Sequence, residues 1–382
     1  MDGAAQLWWS LPGPARFVER VVEDFRAGRH VVLLLPHHMP GGLSSALRRA
    51  IESEGLREWQ SLPIGDLAGA SPADVLFDRF LQESDPAVVR TAAALATEAD
   101  FSWGGIWLDE IDQRVWRAWK ALLIEYARAC RASDRSGRTL FCVPLLGALA
   151  LDPPLGDEQV VYHRWSASVD DLDLQLFAAA LMRERPSGPH KQLAVAVAAK
   201  LAGWDPGLVE WLADEPVERI CDPIALLRDF GAERVWNARD ARPLAVRSVA
   251  ECALAWADGL TDRHDGRGEL HSGALAFNPS GERAIRRRIW SAQVGVLFPL
   301  IEERRQEIIL TLARLHPPDW DEAMAYDLEI GPLLYRYGEY LRERVPQAAA
   351  LAQQLRQMRN YLAHLRPLPA SLLQCKELFA PD

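Results

Sequence analysis

The sequence predicts an α/β amino-terminal domain, three-layered around a mainly parallel sheet, followed by an all-α carboxyl-terminal region. The first half contains continuous apolar runs of strand length, and apolar residues between these runs recur at helical spacing. After residue 283 only the helical spacing remains. Because 382 residues are too many for one ordinary domain, we expect two or three.

Helix and strand alternate along the first half. A helix is predicted over 13–28, a strand over Val31–Pro36 and a helix over Leu43–Glu54. The strand is a continuous run of β-branched residues and leucines, which suits a strand buried on both faces of a parallel sheet. Further strands are predicted over Gly105–Glu110, Arg138–Leu145 and Glu158–Trp165, and further helices near Ala87–Ala99, over Val115–Ala129 and from Ser168 to Arg183.

Composition marks the boundaries in the second half. The segment Arg185–His190 is rich in proline and glycine, and 261–282 is polar and rich in glycine. The predicted division is an α/β domain over 1–185, a helical connector over 186–262, a polar loop or linker over 263–282 and a helical domain over 283–382. Helices are predicted at about 283–313, 327–343, 346–364 and 370–378.

Charge and cysteine content exclude several classes of protein. A net charge of −10 argues against general nucleic-acid binding, which needs an excess of lysine and arginine, although a local basic patch is compatible with it. No apolar run approaches the roughly 20 residues of a membrane helix, and no basic segment precedes an apolar one at the amino terminus. Five scattered cysteines without a C-x-x-C pair indicate reduced thiols and no zinc site. We expect a cytoplasmic protein without a membrane or metal site.

The first strand, loop and helix have the order of a phosphate-binding unit. Phosphate loops of the form G-x-x-x-x-G-K-[ST] use glycines to expose backbone N–H groups, a lysine for the phosphates and a hydroxyl for Mg²⁺. Over Pro36–Leu43 this chain matches one glycine, Gly41, while Gly42 stands at the lysine position and Leu43 at the hydroxyl position. The later strand ends in Asp109 and Glu110, residue types that hold a metal and orient water.

This order over residues 15–183 resembles the AAA-type and STAND-type P-loop ATPases. The resemblance implies a P-loop-like domain with a degenerate nucleotide site at Gly41, Gly42, Asp109 and Glu110. Without the lysine, charge developing on the phosphates loses its main protein cation, so we expect no ATP hydrolysis and no resident cofactor. Nucleotide binding without turnover stays open. The alternative is an ordinary α/β domain, since such units and an LDE strand end are common.

The most specific short motif lies in LRQMRNYLAHLRPL, which contains Arg359, Asn360 and His364. An R-N-x-x-x-H pattern in the last long helix of an all-α region resembles the HEPN family, whose bundles dimerise to form metal-independent ribonuclease sites. The resemblance implies that His364 moves a proton, Arg359 binds the scissile phosphate and Asn360 helps to fix the geometry, in a homodimer acting on RNA. The structural alternative is that Arg359 pairs with an acid and His364 lies at the helix end before Pro367.

Arginines are concentrated on one predicted helix of the second half. They are Arg286, Arg287, Arg288, Arg304 and Arg305. This stretch either binds an RNA backbone or forms a solvated face balanced by Glu302, Glu303 and Glu307, and we favour the solvated face.

A P-loop-like domain joined to a HEPN-like module resembles components of prokaryotic anti-phage and conflict systems. The resemblance implies a pseudo-ATPase domain that regulates or docks a ribonuclease module, with protein partners in a multi-subunit system. The alternative function is a catalytically inactive adaptor that mediates protein contacts in a larger defence complex.

Overall fold

The computed structural model describes residues 3–53, 55, 58–82, 88–102, 104–132, 138–154, 156, 158–264 and 266–374. The chain forms two compact units. The first, here the α/β unit, comprises Met1–Asp170 and Pro243–Glu269. The second, here the helical unit, comprises Asp171–Arg242 and Leu270–Asp382. Each unit therefore takes two separate stretches of the chain.

A five-stranded sheet forms the centre of the α/β unit. Its strands are β1 (His30–Leu35), β2 (Trp59–Pro63), β3 (Gly105–Asp109), β4 (Leu140–Leu146) and β5 (Val160–Arg164). The order across the sheet is β2-β3-β4-β1-β5, and the paired strands run parallel. Val32 of β1 lies opposite Val143 of β4 and Tyr162 of β5, which fixes the register at the centre of the sheet.

Burial explains which strands the sequence reveals. Val31, Val32 and Leu33 are all fully buried, so both faces of β1 are covered and an uninterrupted apolar run is required. The edge strand β2 is not predicted by the sequence because only Trp59 and Leu62 among its residues are buried. An edge strand with polar residues between its anchors carries a weak sequence signal.

Helices cover both faces of this sheet. In chain order they are α1 (Gly3–Trp8), α2 (Pro12–Arg26), α3 (Leu43–Ser53), α4 (Pro72–Phe80), α5 (Ala92–Thr97) and α6 (Gln113–Ala132). Phe17 and Phe25 of α2 pack against Trp165 and Trp59 on one face, with ring centroids 4.9 and 5.8 Å apart. The opposite face buries Val32 together with residues of α4, α5 and α6. The three layers follow from this two-sided burial.

The rest of the chain is mainly helical. Its elements are α7 (Asp171–Leu181), α8 (Pro189–Ala202), α9 (Pro206–Ala213), α10 (Val217–Cys221), α11 (Ile224–Glu233), α12 (Val249–Ala257), β6 (Thr261–His264), β7 (Arg267–Leu270), α13 (Ser272–Leu275), α14 (Pro279–Leu315), α15 (Glu322–Asp327), α16 (Ile330–Arg344), α17 (Pro346–Ala363) and α18 (Ala370–Leu373). The predicted fold class, a parallel α/β region followed by a helical region, is confirmed. The predicted helix near 370–378 extends beyond the described residues, which end at 374.

The predicted linker over 263–282 is wrong. This segment contains β7, α13 and the first turn of α14, and β6 pairs with β7 in a two-stranded sheet. His271 and Ser272 are fully buried. A Cβ added at Gly281 would lie 2.2 Å from the carbonyl oxygen of Leu275, so the glycine permits close packing. The glycine is needed here for close contact between two helices, whereas the high glycine and polar content of the segment had predicted a loop.

The observed units also differ from the predicted division. Helix α7, predicted inside the first domain, lies in the helical unit, and Pro243–Glu269 returns to the α/β unit. No sequence signal marks these changes, because which unit a helix joins depends on packing partners that lie far along the chain.

A buried ionic cluster lies within the helical unit. Arg234 forms an ion pair with Asp205, and Nε2 of His271 lies 3.1 Å from Oδ2 of Asp205. Burial opposes the charge on Asp205, but Arg234 and His271 outweigh it and hold the pKa of this carboxyl well below its ordinary value. Burial lowers the pKa of His271, so the imidazole is neutral near pH 7. Aromatic rings of Trp204, Phe230 and Trp236 surround the imidazole.

Neither membrane helices nor disulfides are found in the part of the chain that the structure describes. No helix there combines the length and apolar character needed to span a bilayer. Cys130, Cys142, Cys221 and Cys252 are free thiols, and Cys375 lies outside the described residues.

Candidate functional site

The topology of the sheet points to one crevice. In parallel sheets ligands bind at the carboxyl ends of the strands, where neighbouring strands send their connections in opposite directions. The connection from β1 leads through α3 to β2, whereas the connection from β4 leads past β1 to β5. The crevice therefore lies between the carboxyl ends of β1 and β4. The residues 36–42 that follow β1, here the β1 loop, lie at this edge.

The β1 loop lacks the side chains that hold a phosphate. Gly42 has φ of +86°, a left-handed conformation that favours glycine, and it offers no cation. Leu43, at the hydroxyl position, is 5% exposed and packs into the core as the first residue of α3. The missing lysine and hydroxyl are thus replaced by a turn residue and a core residue.

Backbone from α12 occupies part of this edge. The N–H of His37 donates a 2.7 Å hydrogen bond to the carbonyl of Ala257, the last residue of α12. A Cβ built at Gly147, which follows β4, would lie 3.4 Å from Nδ1 of His37. The imidazole of His37 therefore lies at the end of β4. The first N–H of the β1 loop is engaged by protein, and a histidine ring lies in the crevice.

The segment Val249–His264, here the α12–β6 segment, is anchored to the end of β5. Nε1 of Trp256 donates to the carbonyl of Trp165 at 3.0 Å, and the guanidinium of Arg164 lies 3.7 Å from the centroid of the Trp256 ring. Asp262 accepts from Oγ of Ser166 at 2.5 Å. Burial raises the pKa of Asp262. Trp256 is 4% exposed, so these contacts hold the segment firmly in place.

Asp109 and Glu110 make their described contacts on the side of β2. The carbonyl of Asp109 accepts from the N–H of Ile64, and a Cβ at Gly65 would lie 3.2 Å from Oε2 of Glu110. Glu110 has φ of +56°, and its N–H donates to Oδ1 of Asp109. Both residues are exposed at the carboxyl end of β3. The strand end predicted from LDE exists, but none of these contacts joins it to the β1 loop.

The two histidines of the β1 loop do not belong to a metal-ligand set. The rings of His37 and His38 lie 5.0 Å apart in an edge-on arrangement. Among the described residues, no group of three or more histidine, cysteine, aspartate or glutamate side chains is arranged to hold a metal ion.

The carboxyl-terminal motif is spread over the end of α17. Arg359 forms an ion pair with Glu329, the residue that precedes α16. Asn360 is exposed, and it lines with Arg359 a shallow cavity of about 450 Å³. His364 is exposed at the carboxyl cap of α17, and Leu365 continues with φ of +57°. These contacts agree with the structural alternative for the motif, in which Arg359 pairs with an acid and His364 lies at the end of the helix. His364 does not line the cavity that contains Arg359 and Asn360.

The basic stretch on α14 divides into three groups. Arg304 and Arg305 each form a 2.7 Å ion pair, with Glu307 and Glu302, but their side chains are only 16% and 12% exposed, so the predicted solvated face is wrong for these two arginines. Arg288 instead donates to Oγ of Ser272 and to the carbonyl of Leu270, so its role is structural.

The third group of arginines lines a cavity of about 1070 Å³ in the helical unit. Arg286 and Arg287 of the predicted stretch line this cavity together with Arg283, Arg366 and Tyr361, which the sequence reasoning missed. The only signal was the density of arginine at the start of α14, since Tyr361 lies on α17 and Arg366 in the turn that follows it, both far along the chain.

No protein-family model and no curated protein sequence matches this chain. Among solved structures, a chain in the structure of Drosophila ORC bound to DNA is similar, with 13% sequence identity and a TM-score of 0.35. The similarity covers 98% of this chain and 72% of that chain. A likeness at this TM-score assigns neither a fold family nor a function.

Proposed function

We propose that this protein is a catalytically inactive adaptor of a bacterial anti-phage system, with a degenerate P-loop domain that docks protein partners. The hydrogen bond from the N–H of His37 to the carbonyl of Ala257 carries the proposal. A phosphate loop works by directing free backbone N–H groups at an anion. Here the first of these groups is engaged by a carbonyl oxygen, which repels an anion.

The strand order supports the P-loop part of the proposal. β1 lies between β4 and β5, so the β1 loop occupies the position where a doubly wound sheet binds its ligand. Two groups needed for phosphoryl transfer are missing there. Glycine replaces the lysine cation at position 42, and leucine replaces the Mg²⁺-binding hydroxyl residue at position 43. A fold that keeps the frame of such a site without its charges suits a docking role.

Phosphate release from ATP with Mg²⁺ tests whether the site is inactive. We expect no release above the buffer blank for the native chain, and none for Gly42→Lys, because the Ala257 carbonyl still holds the loop. Melting temperatures of both proteins verify folding. Turnover by the native chain would contradict the proposal, and turnover by Gly42→Lys would show that the Ala257 carbonyl does not block the loop.

The mass of the native assembly tests the adaptor role separately. An adaptor is expected to be a monomer in isolation and to co-purify from its host in a larger complex of fixed composition. A stable homodimer without other subunits would instead favour a ribonuclease, because the HEPN resemblance implies a site formed by two copies of the chain.

The second candidate is a metal-independent ribonuclease in the helical unit. It is favoured by one observation, the exposure of His364 and Asn360 at the end of α17, where RNA could reach them. Arg359 would have to exchange Glu329 for a phosphate, and both are partly exposed.

RNA cleavage in the presence of EDTA tests this candidate. If the ribonuclease is active, His364→Ala should reduce the cleavage rate by at least about a hundredfold, the usual effect of a general acid or base. Gln347→Ala, an exposed residue at the start of the same helix and about 25 Å from His364 along its axis, should leave the rate unchanged. Intact RNA after incubation, or equal rates for the native chain and His364→Ala, would contradict it.

A further inference from the structure

The cavity of about 1070 Å³ in the helical unit has a concentrated positive charge. Its walls come from the start of α11, the first turns of α14 and the turn between α17 and α18. Arg283, Arg286 and Arg287 lie at helical positions i, i+3 and i+4 and so occupy one side of α14. Arg366 contributes a fourth guanidinium from the other wall.

Most of this charge is not neutralised by protein. Glu282 lies 3.7 Å from both Arg286 and Arg228, so its carboxylate is already shared between two arginines. Among the residues that the structure describes, no ion pair involves Arg283, Arg287 or Arg366, and all three are exposed. Asp222 is the other acid in the wall. Four arginines against two acids leave an excess of positive charge.

The cavity also has an aromatic and apolar part. Tyr361 is 38% exposed and lines the wall. The indole of Trp290 is held by a 2.7 Å hydrogen bond from Nε1 to the carbonyl of Leu362, which fixes its plane beside the cavity. Ile289 and Leu368 are almost fully buried and provide apolar surface. Such surface suits a planar ring, because stacking on an aromatic side chain needs no specific hydrogen bonds.

From this combination we infer that the cavity binds a nucleoside polyphosphate. Guanidinium groups bind phosphate oxygens through paired, charge-assisted hydrogen bonds, so Arg283, Arg287 and Arg366 would hold the phosphates. Tyr361 would stack on the base. The cavity volume of about 1070 Å³ is slightly above the usual range of small-molecule sites, about 300–1,000 Å³, so it has room for a ligand of nucleotide size. This site lies in the helical unit and does not depend on the adaptor function.

Fluorescence anisotropy with a fluorescent ATP derivative tests the site on the full-length chain. Arg287→Gln and Arg366→Gln should each weaken binding at least about tenfold, since each removes charge-assisted hydrogen bonds. Tyr361→Ala should weaken it by a similar factor through lost stacking. The matched control is Arg314→Gln, an exposed arginine on the same helix about 40 Å away along its axis, which should leave the affinity unchanged.

Competition defines the ligand. Unlabelled ATP should displace the probe at least tenfold better than adenosine or inorganic triphosphate, because ring and phosphates are both needed. The absence of binding, or equal affinity of Arg287→Gln and Arg314→Gln, would overturn the proposal. Equal competition by triphosphate would reduce the site to a nonspecific anion patch. A short single-stranded RNA that binds more than tenfold tighter than ATP would replace the small ligand by a polymer. Unchanged melting temperatures of the variants exclude unfolding as a cause.

Discussion

Arg234→Met is expected to lower the free energy of unfolding by about 3–5 kcal/mol, the usual cost of breaking a buried ion pair by removing one partner. Arg234 pairs with Asp205, which is 5% exposed. The guanidinium also lies 4.3 Å from the ring centroid of Phe230. Methionine keeps most of the volume but leaves the Asp205 carboxylate buried without its main cation. The neutral imidazole of His271 is a poor substitute for that charge.

Urea denaturation at pH 7 measures this loss. The matched control is Arg219→Met, which removes an exposed i,i+4 pair with Glu215 in the same unit. Exposed pairs contribute about 0–1 kcal/mol, so the control should unfold close to the native midpoint. Similar midpoints for Arg234→Met and Arg219→Met would mean that the Asp205 cluster is not the stabilising element described above.

Trp256→Ala is expected to lower the free energy of unfolding of the α/β unit by about 3–5 kcal/mol, as for other buried large-to-small substitutions. The indole lies in the core next to the sheet and donates to the carbonyl of Trp165. Its loss would create a cavity and deprive Arg164 of the ring on which it lies. Because Trp256 directly precedes Ala257, the substitution should also loosen the carbonyl that holds His37.

Trp256→Phe separates packing from hydrogen bonding. It keeps an aromatic ring but removes the N–H donor, so the loss should be smaller, about 1–3 kcal/mol for the unsatisfied carbonyl and the smaller ring. Thermal denaturation of both variants, with hydrogen exchange at the His37 amide, provides the measurement. A native stability for Trp256→Ala, or unchanged exchange at His37, would contradict the role assigned to the α12–β6 segment.

Local patterns predict much of the fold. The four predicted strands agree with β1, β3, β4 and β5 to within two residues at each end. They succeed because a strand covered on both faces must be apolar throughout. The long helices α14, α16 and α17 are also predicted by the sequence, since each of them buries apolar residues at helical spacing along one side. Edge strand β2 escapes the prediction because only two of its residues are buried. The segment 263–282 escapes it because its buried run, 270–276, consists mostly of small and polar residues, which give no apolar pattern.

The candidate sites are less predictable than the fold. The motif Arg359–His364 lies on one helix, but an ion pair with Glu329 engages Arg359, and that acid comes from another element. The arginine-lined cavity combines Arg287 with Arg366 and Tyr361, which no spacing rule connects. Each of these groupings is a contact between residues far apart in the chain.

The amino-acid sequence alone establishes that the phosphate-loop pattern has glycine, Gly42, in place of its lysine and leucine, Leu43, in place of its hydroxyl residue. Both substitutions are read directly from the order of residues. Only the tertiary structure establishes that the carbonyl of Ala257 bonds to the loop and that four arginines meet at one cavity. The physical reason is that local patterns record burial and backbone preference. The partner of a polar group is decided by how distant elements pack, and that packing leaves no periodic signal in the chain.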